Sequence, residues 1–191
     1  MIEDDFYPPG SLADRAMRAL RRPETFPGRP SWHGRRVVLR LFRYVGTELD
    51  DPMGSQTGPL GTYTAWAIGG GDGAYLARRL FWDPTPARNV TDPALSFAHA
   101  DLRAAEFGRR LDELHALRLP AFVPEPRSPG FGSTRGLEYG SFHTGSSFHW
   151  FQTLPAEWSA LGEWWTGTVE AIESALLAAG HPRAPETVPG P

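Results

Sequence analysis

His143 and His149 are the two residues whose types and spacing best fit metal chemistry. They lie on either side of residues 144–147, which separate two runs of alternating apolar and polar residues, a pattern typical of a β-hairpin. A three-residue loop centred on Ser146 would place the imidazoles opposite each other, with Cβ atoms about 5 Å apart. Together with a carboxylate such as Glu138, they could then hold a divalent ion. A metal-dependent hydrolase is therefore one alternative function.

A simpler interpretation of the same pair is two histidines that face solvent or form ordinary hydrogen bonds. A two-residue turn would shift the register and put the two side chains on opposite faces of the sheet. Two imidazoles are also fewer than the three protein ligands typical of catalytic zinc. We therefore expect no cofactor and keep the hydrolase as an alternative.

The composition excludes several classes of enzyme. The chain has no cysteine, which excludes disulfides, thiolate catalysis and cysteine-ligated metal sites. All 19 basic residues are arginine, so Schiff-base and phosphate-loop lysine mechanisms are excluded as well. The serines that follow glycines lack the Gly-x-Ser-x-Gly pattern of a hydrolase nucleophile. These absences favour a protein that is not an enzyme.

A basic segment near the start of the chain points to a partner. Nine arginines and one acidic residue, Glu24, lie between Arg15 and Arg43, and aromatic residues are interspersed among them. This combination contacts phosphates and bases in other proteins, so nucleic-acid binding is a second alternative. It is not favoured, because the net charge is −3 and no nucleic-acid-binding motif is present. The same arginines could instead pair with the glutamates of the C-terminal helix, or contact another protein.

Two of the seven tryptophans stand apart from the predicted core. Trp164 cannot fully share a helix face with the adjacent Trp165, and Trp32 lies outside any predicted strand. We expect one or both to be exposed, and exposed tryptophan is enriched at protein interfaces. The predicted surface for a protein partner consists of these tryptophans and the nearby arginines: Trp32, Arg35, Arg36, Arg40, Arg43 and Trp164.

The scaffold is predicted from hydrophobic periodicity. Alternation predicts strands over residues 35–44, 62–68 and 74–82, ahead of the hairpin that carries the histidines. Helical spacing predicts a long amphipathic C-terminal helix ending at Gly180 and a helical region that opens at Asp92, with Glu106 and Arg110 as a surface ion pair. Because short hairpins favour antiparallel pairing, we predict an α+β fold: a mainly antiparallel sheet of about five strands, with helices packed on one face.

The chain is predicted to form one domain with loose ends. We expect a flexible lead with a short basic helix over residues 1–30, a single α+β domain over 31–180 and a disordered tail over 181–191. The first residues are acidic, unlike a secretory signal, and no apolar run reaches the roughly 20 residues that span a bilayer. We expect a cytoplasmic, accessory or immunity-type protein that makes no membrane contact and binds another protein encoded nearby.

Overall fold

The computed structural model describes residues 36–46, 61–71, 73–83, 94–118, 133–139, 146–151 and 156–184. These residues form an α+β fold, as predicted. The elements in chain order are β1 (Arg36–Gly46), β2 (Gly61–Gly71), β3 (Ala74–Asp83), β4 (Ala94–Leu102), α1 (Ala104–Ala116), β5 (Ser133–Tyr139), β6 (Ser146–Phe151) and α2 (Ser159–Ala178). A single 3-10 turn, Ala156–Trp158, leads into α2. The predicted lead over residues 1–30 lies outside the described residues.

The strands form one antiparallel sheet in the order β4-β3-β2-β1-β5-β6. β1 lies in the interior, because the chain runs through neighbouring strands from β1 to β4 and then returns to the other side of β1. The connection between β2 and β3 is tight: Gly71 pairs with Ala74, and Gly73 has a φ of +72°, which glycine adopts readily. The described residues hold six strands, where the sequence predicts about five.

β4 corrects the predicted helical region that opens at Asp92. Residues Ala94–Leu102 are a strand that pairs with β3, and the helix begins only at Ala104. Ala98 and Ala100 are buried whereas His99 between them is exposed, which is the period of two expected of a strand. Alanine conceals this period, because it is the residue with the highest helix propensity.

Both helices pack on one face of the sheet. Side chains opposite each other in an antiparallel pair share a face, and the register pairs Leu41 with Trp66. Both residues belong to a buried cluster that also holds Phe107 of α1 and much of α2: Leu161, Trp164, Trp165, Val169, Ile172 and Leu176. The indole of Trp165 meets that of Trp66 edge-on, with ring centroids 6.0 Å apart. None of the described helices is long and apolar enough to cross a membrane.

Candidate binding groove

A groove of about 650 Å³ lies between α1 and α2, beside the end of β4. Its floor is apolar, since Leu102, Phe107 and Ile172 line it. The wall on α2 is formed by residues that recur at steps of three or four and therefore share one side of the helix. Most of them are small, which leaves room between the two helices: Gly167, Glu170, Ala171, Ser174, Ala175 and Ala178.

Charged side chains line the groove around this apolar floor. Three carry a negative charge, Asp101, Glu106 and Glu170, and two carry a positive charge, Arg103 and Arg110. None of the five forms an ion pair within the part of the chain that the structure describes. The groove therefore combines an apolar surface with charges of both signs that no other described side chain neutralises.

Arg110 is held in place by two residues of α2. Its carbonyl oxygen accepts a hydrogen bond of 2.7 Å from Trp164 Nε1. Its guanidinium lies against Gly167, where a Cβ atom would come within 3.1 Å of Nη1. Glycine inside a helix costs about 0.5–1 kcal/mol relative to alanine. The lack of a side chain at Gly167 thus gives up some helix stability and permits the close approach of Arg110.

The predicted ion pair between Glu106 and Arg110 is wrong. Arg109 and Glu113, whose side chains are 59% and 43% exposed, form an ion pair on α1, whereas Arg110 is turned toward α2. The Arg110 Nε is buried without a hydrogen-bond partner, and none of the guanidinium nitrogens has an acceptor among the described residues. Helical spacing brings Glu106 within reach, but the packing against α2 decides where the guanidinium lies.

Trp164 is buried, with 6% of its surface accessible, so it does not supply the exposed tryptophan that the sequence predicts; Trp32, the other candidate, lies outside the described residues. Adjacent tryptophans on a helix do point to different sides, and here each side is covered. Trp165 packs on Trp66 of the sheet, while Trp164 packs toward α1 and donates to the Arg110 carbonyl. The second helix supplies the cover that the sequence alone does not show.

A buried ion pair lies on the sheet side of α2. Glu173 accepts a hydrogen bond of 2.6 Å from Arg79 Nη1 and one of 2.7 Å from Trp66 Nε1. Arg79 and Trp66 lie opposite each other in the register of β2 and β3, so one carboxylate on α2 reaches both. Both carboxylate oxygens are occupied by donors of the fold itself. We therefore assign this ion pair to stability.

The chain beyond α2 completes this network. Arg79 Nη2 donates to the carbonyl oxygen of Pro182 at 2.7 Å, and the backbone N–H of Ala184 donates to Glu173 Oε2 at 3.2 Å. Ala184 is buried as a result. The sequence predicts a disordered tail from residue 181, but residues 181–184 are bound to the domain; residues 185–191 lie outside the described residues.

The described arginines of the predicted partner surface do not share one face. Arg36 is exposed at the start of β1, while Arg40 and Arg43 are half-buried. Arg43 lies over the ring of Trp66, 5.7 Å from its centroid, on the face that carries the helices. Arg40 is opposite Ala67, whose neighbour Trp66 points to the other face, so Arg40 belongs to the opposite face. None of these three arginines lines the groove.

The structure does not show the register that would place His143 opposite His149, one of the two registers that the sequence leaves open. His149 pairs with Gly136, and Glu138 pairs with Ser147, so His143 is not the residue opposite His149. His143 lies outside the described residues, as do Trp32 and Arg35. No group of three or more histidine, aspartate or glutamate side chains is placed to hold a metal ion within the described part of the chain. The metal site stays a prediction.

Comparisons with known proteins give no match to a protein-family model, a curated protein or a solved structure. Function therefore has to be inferred from the geometry of this chain.

Proposed function

We propose that this protein is a non-enzymatic binding protein of the accessory or immunity type, and that it docks a segment of another protein in the groove between α1 and α2. The groove carries this proposal, because an apolar floor bordered by charged side chains matches the apolar core and polar rim of protein-binding surfaces. A cytoplasmic location and a partner encoded nearby remain predictions from the sequence.

Leu177 supports a partner that extends over α2. It is 52% exposed and is the one large apolar side chain described as exposed. It follows Ser174 by three residues and Glu170 by seven, so it lies on the side of α2 next to the groove wall. An amphipathic helix laid into a groove uses anchors at such spacings. The groove and Leu177 together would contact one face of such a helix.

The charges of the groove count against nucleic acid as the ligand at this surface. Three carboxylates and two arginines line it, so the net charge is negative and would repel a phosphate backbone. The arginines of β1 lie on different faces of the sheet, which also disfavours one continuous phosphate-binding surface.

A variant that fills the groove tests the proposal. Ala171→Arg places a long side chain in the groove, and Ala116→Arg places the same side chain at an exposed position of α1 outside it. Partners captured from the native cells are identified, purified and titrated with each variant. We expect Ala171→Arg to weaken binding at least tenfold and Ala116→Arg to leave it unchanged. Equal affinity of all three proteins for every partner would show that docking occurs elsewhere.

A further inference from the structure

Arg110 differs from Arg109, the other arginine of α1. Arg109 pairs with Glu113 in solvent, whereas Arg110 borders the groove, lies against Gly167 and has no described acceptor for its guanidinium. Its Nε is buried without an acceptor, whereas Nη1 and Nη2 are not buried. An acceptor that enters the groove can therefore bind the two terminal nitrogens of the guanidinium.

The group that best satisfies a guanidinium is a carboxylate. The planar guanidinium presents several N–H donors in a fixed geometry that matches the two oxygens of a carboxylate. An apolar floor next to the guanidinium, formed by Phe107 and Ile172, lowers the local polarity and strengthens such a contact. The fitting ligand therefore has a carboxylate beside apolar side chains.

The remaining charges restrict this ligand further. Asp101, Glu106 and Glu170 line the same groove, so a ligand with several negative charges would be repelled. A ligand with one carboxylate and basic residues on either side complements both signs. This pattern fits a short polypeptide segment of mixed charge.

We propose that Arg110 is the specificity-determining anchor of the groove and binds the carboxylate of one aspartate or glutamate in an amphipathic helix of the partner protein. Apolar side chains of that helix cover the floor, and its basic residues face Glu106 and Glu170. Gly167 is the positioning residue, because its missing side chain lets the guanidinium lie across α2. This inference rests on the proposed function and specifies the chemistry of the ligand that the groove binds.

Selection from a display library of random 12-residue peptides tests the proposal, with the full-length protein as bait. We expect enriched peptides to share one acidic residue flanked by apolar and basic residues. A synthetic peptide of the enriched sequence should bind Arg110→Gln about 10- to 100-fold more weakly than wild type. Arg109→Gln, the matched control one residue away, should bind within twofold of wild type, since Arg109 pairs with Glu113 outside the groove.

Two further measurements do not depend on the folding of Arg110→Gln. Replacing the acidic residue of the peptide by its amide should weaken binding to the wild-type protein by the same factor, and should add little to the loss in Arg110→Gln. Gly167→Ala should also weaken binding, because the new Cβ displaces the guanidinium while alanine favours the helix. Both results would support the anchor.

Failure of the Arg110 anchor and failure of the groove as the docking site give different results. Enriched peptides that lose binding to Ala171→Arg but carry no acidic residue, or bind wild type and Arg110→Gln equally, overturn the anchor and leave the groove as the docking site. Peptides that bind Ala171→Arg as tightly as wild type, or a selection without enrichment, overturn both the anchor and the proposed function.

Discussion

Replacing Glu173 by glutamine tests the buried ion pair that connects α2 to the sheet. The substitution preserves the size of the side chain and removes its charge. The partner, Arg79, has a side chain that is 1% exposed, so its positive charge stays buried after the change. Removing one charge from a buried ion pair costs about 3–5 kcal/mol, because the remaining charge has left water without compensation.

The hydrogen bonds at this site predict where the loss arises. Glu173 Oε1 accepts from Trp66, and Oε2 accepts from Arg79 and from the backbone of Ala184. Glutamine has one acceptor oxygen, so its amide group must face at least one donor. An unpaired buried donor costs about 1–3 kcal/mol. This cost is already included in the loss of about 3–5 kcal/mol expected for removing one charge of the buried ion pair. The free energy of unfolding of a native domain is about 5–15 kcal/mol, so this substitution would remove a large part of it.

Urea denaturation followed by tryptophan fluorescence measures this loss, since seven tryptophans report on the transition. Glu113→Gln is the matched control, because Glu113 pairs with Arg109 on the exposed surface of α1. An exposed pair of this spacing contributes about 0.3–0.5 kcal/mol, so the control should unfold almost as wild type does. The losses in free energy of unfolding of the two variants thus compare a buried ion pair with an exposed one.

Two results would refute this reasoning. The first is a loss below about 1 kcal/mol for Glu173→Gln, which would mean that the ion pair contributes no more than a single neutral hydrogen bond. The second comes from a double-mutant cycle with Arg79→Gln. If the two losses simply add, the side chains do not act as a pair; we expect a coupling free energy of at least about 1 kcal/mol.

Two other substitutions test the remaining assignments. Trp164→Phe removes the hydrogen bond to the Arg110 carbonyl, so the free energy of unfolding should fall by about 1 kcal/mol, as measured in the same urea assay; an unchanged value would contradict the docking of α1 through this bond. His149→Ala should leave the zinc content of the purified protein unchanged, because Gly136 is the residue opposite His149; elemental analysis that finds zinc in wild type and not in the variant would support the metal-site hypothesis.

The fold class could be predicted because burial follows a simple period in most elements. Helical spacing of apolar residues predicted the long C-terminal helix, observed as Ser159–Ala178, and alternation predicted the strand observed as Arg36–Gly46. β4 was missed because its buried positions are alanines rather than large β-branched residues. Ala98 and Ala100 are buried in the same cluster as residues of α2, and this burial depends on the tertiary structure and not on local propensity.

The buried ion pair was missed because the glutamates of the C-terminal helix were considered as partners only for the arginines between Arg15 and Arg43, and Arg79 lies outside that segment. Glu173 lies one residue after Ile172 on the buried side of α2, and Arg79 lies in a strand whose other residues are largely apolar. A charged residue inside an apolar stripe requires a partner of opposite charge. The sequence therefore contained both halves of the pair, but only the tertiary structure shows that they meet.

The groove was missed for a related reason. The small residues on one side of α2, such as Gly167 and Ala171, were interpreted only as part of a helix. In the structure they line the groove that separates α2 from α1. Arg110 was assigned to a surface ion pair from its spacing to Glu106. Spacing shows which side chains can meet, and competition from neighbouring elements decides which of them do.

The two contacts that hold α2 also explain why the groove can be a specific binding site. Glu173 bonds α2 to Arg79 of the sheet, and Trp164 bonds α2 to the Arg110 carbonyl of α1. Both walls of the groove are therefore fixed before a ligand binds. A preformed site avoids the entropic cost of ordering its walls during binding. For the guanidinium of Arg110, which lies between these walls, the main cost of binding a ligand is then the loss of its water. Loss of Glu173 should therefore lower affinity through the position of α2, whereas loss of Arg110 should lower it through the missing contact alone, with the fold intact.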